Sequence, residues 1–88
     1  MDIINYLEIV NFIIATVQEE SMGFQYIVDY SHIEEKFEVT FDSIIIKQVE
    51  ELLCEREEVA DVQLDDDGFD VVLYTGYAPN YIEEDDIY

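Results

Sequence analysis

Basic residues, cysteine, proline and glycine are all scarce in this chain, and tryptophan is missing. Cys54 is the single cysteine, so no disulfide can close within the chain, and a reducing compartment is expected. Lys36, Lys47 and Arg56 stand against 23 acids, for a net charge of -20. Such a surface is repelled by anionic lipid and by nucleic acid, which excludes both as direct ligands and makes a basic protein the expected partner. The apolar run from Ile3 to Val17 is broken by Asn5, Glu8 and Asn11. It is also shorter than the roughly 20 residues of a membrane span. The N-terminal residues lack the basic start of a signal peptide, so the expected location is the cytoplasm, the host cell's if the chain is phage-encoded.

Catalytic and metal signatures are equally thin. His32 is the only histidine, and a catalytic triad needs a nucleophile, a base and an orienting group converging in space. Neither a glycine-rich phosphate loop nor a zinc-ligand cluster is present. Asp65-Asp66-Asp67-Gly68 resembles part of a calcium loop. With Gly68 at loop position six, however, Gln63 falls at position one and Tyr74 at position twelve, where a bidentate glutamate is needed. The expectation is no enzyme, no cofactor and no specific metal.

What the chain does have is apolar patterning. Half of its 88 residues are hydrophobic, with 7 tyrosines and 5 phenylalanines, so one modest core can form despite the charge. Asp2 is a candidate cap for a first helix running to about Glu20, with Ile3, Tyr6, Leu7, Val10, Ile13, Ile14 and Val17 as its apolar stripe. Ile4, Ile9 and Phe12 lie off that stripe and imply either a wide buried face or a dimer surface. Met22-Gly23 is expected to end the helix in a left-handed cap. Phe24 to Tyr30 reads as a strand and Ser31 to Glu35 as a polar connection carrying His32. Phe37, Val39 and Phe41 alternate with Glu38 and Thr40 as a second strand.

A second helix follows, capped by Asp42 or Ser43, with Ile45, Ile46, Val49, Leu52 and Leu53 on one face and Glu50, Glu51, Glu55, Glu57 and Glu58 on the other. The period then becomes two. Ala60, Val62 and Leu64 alternate with Asp61 and Gln63, and Phe69, Val71 and Leu73 alternate with Asp70. Asp67-Gly68 between these runs is a hairpin signal. Gly76 and Pro79 close the last strand. The predicted order is α-β-β-α-β-β, a circular permutation of the ferredoxin-like order. Its simplest packing is an α+β two-layer domain over residues 1–78, a four-stranded, mostly antiparallel sheet with two helices on one face. Residues 79–88 read as an acidic tail.

Charge therefore carries the functional argument. A chain of this size is about 30 Å across, and duplex DNA carries roughly 18 negative charges over that length. The linear charge density matches. Carboxylates three or four apart on a helix sit about 5–6 Å from each other, a spacing suited to following phosphates. The candidate partner-binding residues are Glu50, Glu51, Glu55 and Glu58 on the helix and Asp61, Asp65, Asp66, Asp67 and Asp70 at the hairpin. Tyr74 and Tyr81, with Glu83, Glu84, Asp85 and Asp86 of the tail, extend the set, since tyrosine mixed with acids suits an Arg- and Lys-rich surface.

In size, charge and α/β content the whole chain resembles the small acidic anti-CRISPR and anti-restriction proteins of phages and mobile elements. That resemblance, carried by composition, implies a nucleic-acid-mimicking inhibitor that fills the basic cleft of a CRISPR effector or another DNA- or RNA-binding protein. Two other readings share the charge: an immunity protein or antitoxin neutralising a cationic nuclease toxin, and an acidic chaperone or adaptor homodimer using Ile9 and Phe12. An acidic domain of the halophile kind, with no basic partner, is the plainest alternative.

Overall fold

The computed structural model describes residues 5–21 and 23–77. Helix α1 (Tyr6–Glu20) starts at Asn5, whose side-chain oxygen accepts from the Glu8 amide at 3.2 Å and satisfies one of the donors a helix start leaves unpaired. Asp2, the expected cap, lies outside the described residues. The buried face of α1 is Ile9, Val10, Ile13, Ile14 and Val17, while Leu7 is 64% exposed. The stripe is thus rotated from the one predicted, because α1 packs against both the sheet and a second helix and must bury two adjoining sides. Ile9 is core and Phe12 packs on it, which favours the wide buried face over a dimer surface for this pair. The helix ends at Ser21 in extended conformation, not at a left-handed glycine. The Ser21 hydroxyl donates to the Gln25 carbonyl and accepts from the Gly23 amide, so a side chain makes the turn.

Strand β1 (Gln25–Asp29) follows as predicted. The next segment departs from the prediction. Tyr30–Phe37 is helix α2, not a polar connection leading to a strand, and His32 sits on it. Tyr30, Ile33 and Phe37 recur at helical spacing; Ile33 is fully buried. Glu38 closes α2 in the left-handed region at φ 55°, ψ 45°, where the chain reverses. Phe37 and Phe41, taken as alternate residues of a strand, serve two different contacts. Phe37 meets Phe12 edge-on at 5.6 Å, and Phe41 meets Tyr30 at 5.9 Å and Phe69 at 6.1 Å. Their period-two spacing is a coincidence of a helix end and a connector.

Helix α3 (Ser43–Cys54) is capped by Asp42, which accepts from the Ile45 amide at 2.9 Å. Val49 and Leu53 are buried on it, with Ile45, Ile46 and Leu52 packed beside them. Strands β2 (Val59–Leu64) and β3 (Gly68–Leu73) form the predicted hairpin. The order of elements is therefore α-β-α-α-β-β, followed by a short 3₁₀ turn at Thr75–Tyr77. The fold is α+β, with three helices and a three-stranded antiparallel sheet of order β1-β3-β2 among the described residues. The predicted fourth strand, the two-helix count and the permuted ferredoxin-like order do not hold for them.

A bulge between Val59 and Asp61 shifts the register of β2. Ala60 consequently turns to solvent, and Leu64, at the end of the strand, is 46% exposed, so Val59 and Val62 supply the core instead. On β3, Phe69, Val71 and Leu73 alternate inward as predicted, and register sets Val28 and Tyr26 beside Phe69 and Val71. Helices cover that face, with α1 against β1 and α3 against β2. The opposite face, with Gln25, Ile27, Asp61 and Gln63, is open to solvent. Gly68 is glycine for proximity and not for a turn with positive φ. A Cβ there would lie 2.8 Å from the Val28 carbonyl carbon and 2.9 Å from the Asp29 Cα, closer than side chains approach backbone.

Candidate functional site

The acidic residues picked out by sequence fall into three groups. The first surrounds Tyr30 and Cys54. Tyr30 donates from its hydroxyl to the Asp65 carbonyl at 3.0 Å, tying the start of α2 to the hairpin loop. Burial, and then the charges of Asp65, Glu50 and Asp66, push its phenol above the ordinary tyrosine range. Cys54, exposed at the end of α3, is pushed up first by desolvation from its neighbours and then by Glu50, Asp61 and Glu51. Glu50 of α3 is the charge that acts on both groups, whereas Asp65 and Asp66 act on Tyr30 and Glu51 and Asp61 on Cys54.

Asp66 and Asp67 also line a shallow hollow with Asp29, Ser31 and Glu34. The sequence set omitted Asp29 and Glu34. Only tertiary contact brings α2 to the hairpin loop, and the signal that existed was helical spacing across residues 30–37. Glu34 is also structural, accepting from the Phe41 amide at 2.7 Å.

The second group is engaged within the protein. Glu58 accepts from Arg56 at 3.1 Å, with its other oxygen buried and unpartnered, and Arg56 also donates to Asn11 at 2.6 Å. Glu57 accepts from the Tyr77 hydroxyl at 3.0 Å, a bond that raises the tyrosine's pKa. Glu55 lies with Leu7, Val10, Leu52 and Arg56 beside a small hollow on the α1 side of α3. Glu55, the C-cap of α3, and Glu58 lie beyond the helix, which ends at Cys54, and not on it as predicted. Asp70 is different again. It lies on the open face of the central strand and accepts from the Gln25 side chain at 2.9 Å. Tyr74 is 56% exposed just beyond β3. Tyr81, Glu83, Glu84, Asp85 and Asp86 lie outside the described residues.

No cluster of three or more histidine, cysteine or acidic side chains placed to hold a metal occurs among the described residues. No described helix is long and apolar enough to cross a membrane. His32 is exposed and stands 5.7 Å from the Phe12 ring. No protein family, curated protein or solved structure matches this chain.

Proposed function

We propose that this protein is an acidic inhibitor that mimics nucleic acid and occupies the basic binding cleft of a larger DNA- or RNA-binding protein in the cytoplasm, in the manner of the anti-CRISPR and anti-restriction proteins. One observation carries the reading. Carboxylates of both α3 and the hairpin raise the pKa of each of two groups, Glu50 with Asp65 and Asp66 at Tyr30, and Glu50 and Glu51 with Asp61 at Cys54. With 23 acids and 3 bases in the chain, internal pairing leaves a charge of -20 in place. Concentrated like charge costs stability through self-repulsion, and a basic cleft is the partner that relieves it. Association would be steered and fast at low salt, and nucleic acid would be excluded by occupancy. The acidic surface includes Asp67 and the side chains of Asp29 and Glu34 near it.

The test is capture of partners from the native host's lysate at low and high salt, with duplex DNA as competitor. The expected partner is a nucleic-acid-binding protein released by salt or by DNA. The triple variant Glu51→Lys, Asp61→Lys, Asp66→Lys changes three exposed residues and is expected to keep its circular dichroism and to bind that partner at least tenfold more weakly. Undiminished binding by the folded triple variant would sink this site. Capture of a nuclease toxin would move the protein to the immunity class.

A further inference from the structure

Among the described residues strand β1 is an edge strand, paired on one side with β3 across five residues without a bulge. The direction of its other side follows from the ladder. The Phe24 carbonyl accepts from Leu73 at 2.7 Å and the Tyr30 amide donates to Asp67 at 2.9 Å, so even-numbered residues address β3. In an antiparallel pair the intervening residues turn their groups the opposite way. Ile27 consequently directs its N–H and carbonyl outward at the middle of the edge, where no described strand pairs with them. Beside this edge runs a groove of about 320 Å³ whose walls include Phe12, Thr16, Glu19 and Glu20 of α1, Ile27 of β1 and His32 of α2.

An unpaired strand edge beside a side-chain groove is the arrangement used to capture an extended peptide as an added strand. Charge selects the occupant. A second copy of the chain would bring another -20 to the same place. Its C-terminal residues Glu83 to Asp86 are four consecutive acids, which Glu20 and Asp29 at the groove would repel. A strand with arginine or lysine at alternate positions meets the carboxylates of Glu20 on α1 and Asp29 on β1.

We infer that the outer edge of β1 and the α1–β1 groove bind an extended basic segment of a protein partner by strand addition. This rests on the reading of a basic partner and adds a second contact, separate from the α3–hairpin carboxylates. The probe is a nine-residue peptide alternating arginine and valine, with the same residues in two blocks as control, titrated into the full chain by calorimetry. Backbone amide exchange is followed at Ile27. The expected result is one-to-one binding of the alternating peptide, at least tenfold tighter than the block control, with new protection at Ile27. Ile27→Pro removes the outward-facing donor and leaves the donors that face β3 in place, at a position where a strand edge tolerates proline, and is expected to weaken binding at least tenfold. Glu20→Lys, remote from the ladder, is expected to weaken it as well and serves if the proline variant fails to fold.

Equal binding of the two peptides, no protection at Ile27, or unchanged affinity in a folded edge variant overturns the inference. Self-association of the free chain through β1 overturns it too, in favour of a second copy. The triple variant at Glu51, Asp61 and Asp66 separates the two claims. Partner capture lost there but kept in Ile27→Pro leaves the mimic standing without strand addition, and the reverse leaves the edge standing without the mimic.

Discussion

The two edges of the sheet solve the same problem differently. On β2 the bulge at Val59/Asp61 breaks the regular ladder and turns Ala60 and Asp61 outward. Bulges and charges are the usual devices that blunt an edge against pairing with another chain. On β1 the ladder is regular from Gln25 to Asp29, and the outward groups of Ile27 meet a groove. An edge left regular in a chain that blunts its other edge is either tolerated because the overall charge keeps copies apart or retained because a partner uses it. The difference lies in one extra residue in one strand.

Four substitutions test how far the two edges differ. The largest effect is expected at Phe69, on the strand both edges share, which is fully buried and packs edge-on against Tyr30 at 5.0 Å. Phe69→Ala should cost about 3–5 kcal/mol, a large part of the roughly 4–13 kcal/mol a chain of this length commands, and urea unfolding measures it. A loss of unfolding free energy under about 1 kcal/mol would mean the two sides of the sheet do not share that anchor. Gly68→Ala strikes the β1 side alone, because its methyl would collide with the backbone of Val28 and Asp29. A loss of about 2–3 kcal/mol is expected, with amide exchange faster across Tyr26 and Val28 than at Gln63, whose amide faces β3. Uniform acceleration over both strands would show that β1 has no separate stability.

Tyr30→Phe removes the bond to the Asp65 carbonyl and should cost about 1 kcal/mol at neutral pH. Its pH dependence has a definite sign. The folded pKa is raised above 10.0, chiefly by burial. The contribution is therefore complete below the unfolded tyrosine pKa, and it is lost as pH rises through the folded value. Thermal melts from pH 8 to 11 should fall less steeply above pH 10 for the variant, and parallel curves would refute the assignment. The smallest effect is expected at the blunted edge. Ala60→Lys, on an exposed bulge residue, should change stability by less than about 0.5 kcal/mol and leave the binding of the alternating peptide unaltered.

How legible these features were in sequence depended on range. The α3 face through Val49 and Leu53, the inward alternation of Phe69, Val71 and Leu73 and a cap at Asp42 or Ser43 rest on local spacing, and the structure agrees, with Asp42 as the cap. The segment from Tyr30 to Phe41 was misread because two patterns overlap there. Helical spacing at Tyr30, Ile33 and Phe37 shares a residue with the period-two run Phe37, Val39, Phe41, and the decision belongs to Phe12 and Phe69, residues distant in the chain. The phase of β2 was lost for a similar reason, since a bulge is set by the partner strand. The candidate carboxylates were legible as a charge excess, but not their sorting. Glu58 sits in an ion pair that also ties Arg56 to Asn11 across the fold, while Asp29 and Glu34 join Asp66 and Asp67 through α2.

By itself the sequence determined the charge, the impossibility of an internal disulfide, the α+β class and the helix–hairpin unit from Ser43 to Leu73, because composition and side-chain periodicity are local properties. The tertiary structure alone decided that, among the described residues, the sheet has three strands in the order β1-β3-β2, that β1 presents an unblunted edge, and which acids stand near Tyr30 and Cys54. Those outcomes depend on which distant apolar residues pack against one another in a small core, and spacing along the chain carries no record of that.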